Sequence, residues 1–189
     1  MPNAEYGMPN GKCGMTKLSK RAWVTAVAVI VLVAAPARAE IIDRVMAVVS
    51  GEPITLSDVN AAAILRLVTP ESAQTDPVSA VLDRLIQRTL VLGEVDRSQP
   101  PEPAPEEIDR RYAAIVQRAG GDAALQHVFA VTGMTPDQLR RWLRDDLRIE
   151  TYFNQRFGTT DPSRGQMIAE WLRGLRRRAD VTVLYVAGA

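Results

Sequence analysis

The chain holds few of the side chains that acid–base, nucleophilic or metal chemistry requires. Its one histidine, His127, stands beside Val128 and Phe129. A general base needs a positioned nucleophile and an orienting partner, and no motif supplies either. The one cysteine, Cys13, precedes the first apolar run. Residues beyond it therefore form no disulfide and no cysteine-based metal cluster. Asp145-Asp146 and Glu106-Glu107 are carboxylate pairs, but neighbours on a helix do not share a face, so both pairs read as solvated surface. Neither a glycine-rich phosphate loop nor a G-x-S-x-G elbow occurs. The expectation is a protein without catalytic residues, metal or cofactor.

Arginine supplies the other concentrated chemistry. Arg140, Arg144 and Arg148 recur every four residues, with Arg141 alongside. Asp137 and Asp145 lie close enough in sequence for intrahelical pairing, which predicts a charge-balanced face. The functional alternative for this line is contact with acidic client segments or a membrane surface. Residues 40–189 carry 18 Arg, no Lys and 21 acidic side chains, a net charge of −3. That balance argues against nucleic acid as a partner.

The elements that must position these residues begin after a leader. Lys17, Lys20 and Arg21 precede the apolar run from Ala22 to Ala35, and Ala37-Arg38-Ala39 closes it. This is the pattern of a secretory signal over residues 1–39, cleaved before Glu40. Met8 and Met15 are alternative starts, and the expected location is the periplasm. An uncleaved leader would instead make the protein membrane-anchored.

From Ile41 the pattern changes. Val45, Ala47 and Val49 alternate with Arg44, Met46 and Val48 as in a strand, and Ser50-Gly51-Glu52 supplies a turn. Pro53 to Leu56 forms the return strand, with Ser57 expected to cap a helix running to Val68. Asp76 and Pro77 open a long core helix. The proline-rich stretch from Ser98 to Pro105 is a stiff connector. A helix is expected over Glu106 to Arg118, and Asp122 is expected to cap a short one ending at Gly133. Thr135 and Gln138 form a capping box, with Pro136 in the first helical position of the next helix, to which Leu139, Trp142, Leu143, Leu147, Ile149, Tyr152 and Phe153 give a broad apolar face. Asp161 and Pro162 open the last helix, which has Met167, Ile168, Trp171, Leu172 and Leu175 as its apolar stripe and ends at Arg176-Arg177-Arg178. The one other convincing strand is Val181 to Val186. A hairpin alone is marginal in water, so the two ends of the chain are expected to meet in one sheet. The fold class is mainly α with a small antiparallel β-sheet.

The hairpin D-R-V-x-A-V-V, its turn and P-I-T-L-S-D-V, placed just after a signal sequence, resemble the N-terminal core of the SurA family of periplasmic chaperones and peptidyl-prolyl isomerases. The PpiD-like proteins share this hairpin. The resemblance continues through Phe157, then resumes from Ala169-Glu170-Trp171-Leu172 through Leu175 to Val181. It implies one chaperone domain over 40–189, with a core at 40–157 and a C-terminal helix and strand at 161–189 folding back on it. A parvulin domain normally lies between these pieces and needs about 90–100 residues. Here only Gly158-Thr159-Thr160-Asp161 joins them. The resemblance therefore implies chaperone activity without isomerase activity, with unfolded outer-membrane β-barrel precursors as clients.

Such a protein needs an apolar surface left open to non-native chains. Tyr152, Phe153 and Phe157, beyond the regular part of their helix's apolar stripe, are the expected lining, followed by Val128 and Phe129. The competing reading is a dedicated assembly partner of one envelope complex, using the same fold on a folded surface. The sequence leaves open whether the terminal strand pairs within its own chain or swaps between two copies.

Overall fold

The structure, a computed structural model, describes residues 43–69 and 76–187. The expected leader over 1–39, with its alternative starts, lies outside the described residues. The elements are β1 (Val45–Val49), β2 (Glu52–Thr55), α1 (Leu56–Ile64), α2 (Pro77–Ser98), α3 (Pro105–Ala119), α4 (Asp122–Thr132), α5 (Pro136–Phe157), α6 (Arg164–Arg178) and β3 (Val181–Val183). The fold is mainly α with a small antiparallel sheet, as the pattern of the chain requires.

The sheet has strand order β2-β1-β3, so the hairpin and the C-terminal strand are neighbours. Ala47, Val48 and Val49 stand opposite Val183, Thr182 and Val181. The last strand is shorter than expected, ending at Val183 instead of Val186. It stops where the Met46 carbonyl accepts from both Leu184 N, at 2.9 Å, and Tyr185 N, at 3.1 Å.

Met46 also breaks the alternation expected of β1. Val45 stands opposite Thr55 while Ala47 stands opposite Ile54, so β1 carries one extra residue, a bulge. Met46 and Ala47 are consequently both buried, and Val45 is turned out to 36% exposure. Val45 does not share the core face of Ala47 and Val49.

Local capping differs from expectation at three helix starts. Thr55, not Ser57, caps α1: its hydroxyl accepts from Asp58 N at 3.3 Å, and Asp58 accepts from Thr55 N at 2.9 Å. The cause is that β2 passes into α1 with no loop between them. Ser57 N instead donates to the Asp43 carboxylate at 3.2 Å. The helix ends at Ile64, short of Val68, because Arg66 turns left-handed at φ 50°. Gly121 is the cap of α4, with Asp122 its first helical residue. Ser163 precedes α6, and Asp161 accepts from Ser163 N at 2.8 Å. The Asp76 cap of α2 and the Thr135–Gln138 box of α5 are formed as expected.

Two apolar clusters hold the fold. The larger packs Met46, Val49, Val59, Leu82, Ile86 and Tyr152 beneath the sheet, with Leu175 of α6 closing it. The smaller joins Leu65, Ile115, Leu125, Phe129, Leu139 and Leu143. Both contain residues of α5, whose 22 residues rise about 33 Å at 1.5 Å each. Helix α5 is therefore the beam that connects the sheet end to the α3–α4 end.

Candidate binding groove

A groove of about 1210 Å³ opens between α2, α5 and α6. Its apolar lining includes Leu67 and Val68 ahead of α2, Leu90 and Val91 of α2, Ile149 and Phe153 of α5, and Ile168, Leu172 and Leu175 of α6. Charged side chains stand among them: Asp83, Arg84 and Arg88 on α2, Asp146 on α5, and Glu170, Arg173 and Arg176 on α6. Most of these charges are engaged within the protein (Arg88 with Asp146, Arg176 with Asp83, Arg84 with the Thr69 carbonyl at 2.8 Å), so the lining suits a peptide segment chiefly through its apolar side chains.

The helical period decides which aromatic side faces the groove. Tyr152 and Phe153 are adjacent and so point about 100° apart around α5. Tyr152 is buried in the large core, 6% exposed, while Phe153 is half-buried and lines the groove. Phe157 lies one turn further on and packs on Phe153 with ring centres 5.9 Å apart. Trp171 of α6 joins all three, at 5.9 Å from Tyr152, 5.9 Å from Phe153 and 5.8 Å from Phe157. Tilted and edge-on rings at such separations are the favourable aromatic arrangement. Arg156 covers the outer side, 5.6 Å from the Phe157 ring centre and 5.4 Å from that of Trp171. The cluster fixes one wall of the groove by locking α5 to α6.

The expected lining is thus divided. Tyr152, Phe153 and Phe157 meet in one aromatic cluster around Trp171, but of the three only Phe153 lines the groove: Tyr152 belongs to the core, and Phe157 packs on Phe153 and Trp171. Val128 and Phe129 belong to the other apolar cluster, where Phe129 is buried at 6% exposure and Val128 packs partly buried against it. Neither lines the groove. Leu172 and Ile168 were legible as stripe residues of the last helix, yet nothing in the sequence said that this stripe would leave a gap against α2. Trp171 is likewise a stripe residue whose partners only the fold supplies.

A second feature ties the groove's inner end. Arg88 donates to Asp146 at 3.1 Å and to the Trp142 carbonyl at 3.0 Å, and its guanidinium lies 3.7 Å from the Trp142 ring centre. Burial pushes the Asp146 carboxyl above its ordinary pKa, against the opposing pull of Arg88. At the mouth, Arg176 of α6 pairs with Asp83 of α2 at 2.9 Å, both well exposed.

The arginine line of α5 serves contacts between elements. Arg140 pairs with Asp109 of α3 and covers the Tyr112 ring at 4.5 Å, leaving Asp137 out of the pairing. Arg148 reaches Asp96 of α2 at 2.9 Å and Glu102 of the connector at 3.5 Å. Arg144 pairs with its sequence neighbour Asp145 at 3.0 Å, and Arg148 reaches the same carboxylate at 3.6 Å, the intrahelical i,i+3 contact that the spacing predicted. His127 is exposed on α4. Among the described residues no three His, Cys, Asp or Glu side chains come together as a metal site, and no helix is long and apolar enough to cross a membrane.

No family model and no curated protein matches this chain.

Proposed function

We propose that the protein is a SurA-like periplasmic chaperone: an ATP-independent holdase without isomerase activity that binds unfolded envelope proteins, above all outer-membrane β-barrel precursors. The observation that carries this reading is the groove between α2, α5 and α6, with Phe153, Ile149, Ile168 and Leu172 on its walls. A holdase requires no reactive group, only an apolar surface held open on a stable scaffold. Barrel strands alternate apolar and polar residues, which matches a groove that offers apolar walls and charged side chains together. The meeting of the N-terminal hairpin with the C-terminal strand supports the single-domain chaperone core that the hairpin motif implies. The leader pattern over residues 1–39 supports export to the periplasm.

The test is light scattering of a urea-diluted outer-membrane barrel protein, with and without the purified protein, beside an unrelated soluble client. Suppression of aggregation of both at near-stoichiometric ratios is expected. Suppression of neither would discard the holdase reading in favour of a dedicated assembly partner of one envelope complex.

A further inference from the structure

The sheet has two edges, and the chain treats them differently. Strand β2 at one edge begins with exposed Glu52 and Pro53, a charge and a residue lacking N–H, both of which discourage strand addition. Strand β3 at the other edge opens an uncharged, proline-free run from Val181 to Ala187. Along it Val183, Leu184 and Val186 are 47%, 51% and 65% exposed. Bonds from Ser50 N to the Asp180 carbonyl at 2.8 Å and from Leu184 N to the Met46 carbonyl at 2.9 Å fix which groups face β1. Alternate residues of an antiparallel ladder bond to the same neighbour. Asp180, Thr182 and Leu184 therefore face inward, and Val181 and Val183 direct their N–H and C=O groups outward. No described strand lies beyond them.

We infer that this edge pairs with β3 of a second copy of the chain, antiparallel about a two-fold axis at Thr182. In that register Val181 of each copy stands opposite Val183 of the other, and every outward N–H and C=O of the two residues is bonded. Charge selects the same arrangement. Arg176, Arg177, Arg178 and Asp180 all lie on the N-terminal side of β3. An antiparallel copy sets its uncharged C-terminal run against them, whereas a parallel one would set arginine against arginine. The product is a continuous six-stranded sheet whose two outer edges are both β2. Each is guarded by Glu52 and Pro53, so the assembly closes at two copies. The exposed Val183 gains cover from Val181 of the second copy, on the same face of the sheet.

The pairing surface is short, so association is expected to depend on concentration. Sedimentation should show the apparent mass doubling as concentration rises, with Val183→Pro abolishing the doubling. That substitution removes an outward N–H and leaves the β1-facing bonds of Thr182 and Leu184. Thr182 faces its own equivalent as a non-hydrogen-bonded pair, about 4.5 Å between Cα atoms, within the reach of a disulfide. A chain carrying Cys13→Ser and Thr182→Cys should oxidise to a covalent dimer, and one carrying Cys13→Ser and Glu52→Cys should not. A monomer at every concentration with no Thr182→Cys dimer would overturn the inference. So would a dimer that survives Val183→Pro, or one that crosslinks equally through Glu52→Cys.

Discussion

The Tyr185 hydroxyl donates to the Asp76 carboxylate at 2.7 Å, joining residues 109 positions apart in sequence. Asp76 is also the cap of α2, accepting from Val78 N at 3.1 Å and Ser79 N at 3.3 Å. One carboxylate therefore both starts the central core helix and anchors the segment that follows the last strand. The Tyr185 and Ser79 hydroxyls, with the two backbone amides, hold the Asp76 carboxyl below its ordinary pKa. The same bond raises the Tyr185 phenol above its own.

The sign of the resulting pH dependence follows from linkage. A carboxyl depressed in the folded state contributes stability that is full above its unfolded pKa and is lost as pH falls through the folded one. Denaturation midpoints of the wild-type protein are expected to decline in acid more steeply than those of Asp76→Asn, which retains an acceptor for the cap. Equal slopes would show that the Asp76 charge does not contribute. Tyr185→Phe is expected to speed hydrogen exchange at the Leu184 and Tyr185 amides.

The two cap readings of α1 are separable by substitution. Thr55→Ala removes the observed cap and should cost about 1 kcal/mol, whereas Ser57→Ala should be near neutral. Chemical denaturation of both variants decides between them. The T-x-x-D pattern was present in the sequence, but so was Ser57, and the choice depended on where β2 ended. The same limit applied to β1. Alternation gave the strand, but the bulge at Met46 is set by pairing with Thr55 and Ile54, which no single strand encodes.

Arg88 and Asp146 should behave as a unit. Their side chains are 13% and 31% exposed, so removing one partner leaves a partly desolvated charge behind. Asp146→Ala is expected to cost about 2 kcal/mol, below the 3–5 kcal/mol of a fully buried pair. The apolar double variant Arg88→Met with Asp146→Leu should recover most of that loss. A double variant as unstable as the sum of its parts would show no coupling.

Core and groove residues should separate in opposite assays. Tyr152→Ala and Phe129→Ala empty buried sites and are expected to cost about 3–5 kcal/mol. Phe153→Ser, at a half-buried position, should cost less in denaturation and more in suppression of client aggregation. The helical stripe from Leu139 to Phe153 was legible from spacing alone. Its phase was not, because a helix that is apolar over so wide an arc reaches two cores and a groove in turn. The last helix presented the complementary case: Ile168, Trp171 and Leu172 read as a core stripe, and the fold leaves Ile168 and Leu172 half-buried on the groove wall, with Leu172 still packed against the larger core.

The proposed binding of unfolded chains between α2, α5 and α6 can be tested by site-specific photocrosslinking to a urea-diluted barrel protein. A photoreactive side chain would be placed in turn at Phe153, Ile168 and Leu172, and for comparison at His127 and Val131 on the exposed side of α4. Client adducts are expected at the groove positions, lost when folded soluble protein replaces the unfolded client, and few at the α4 positions. Equal labelling at α4, or none in the groove, would contradict it.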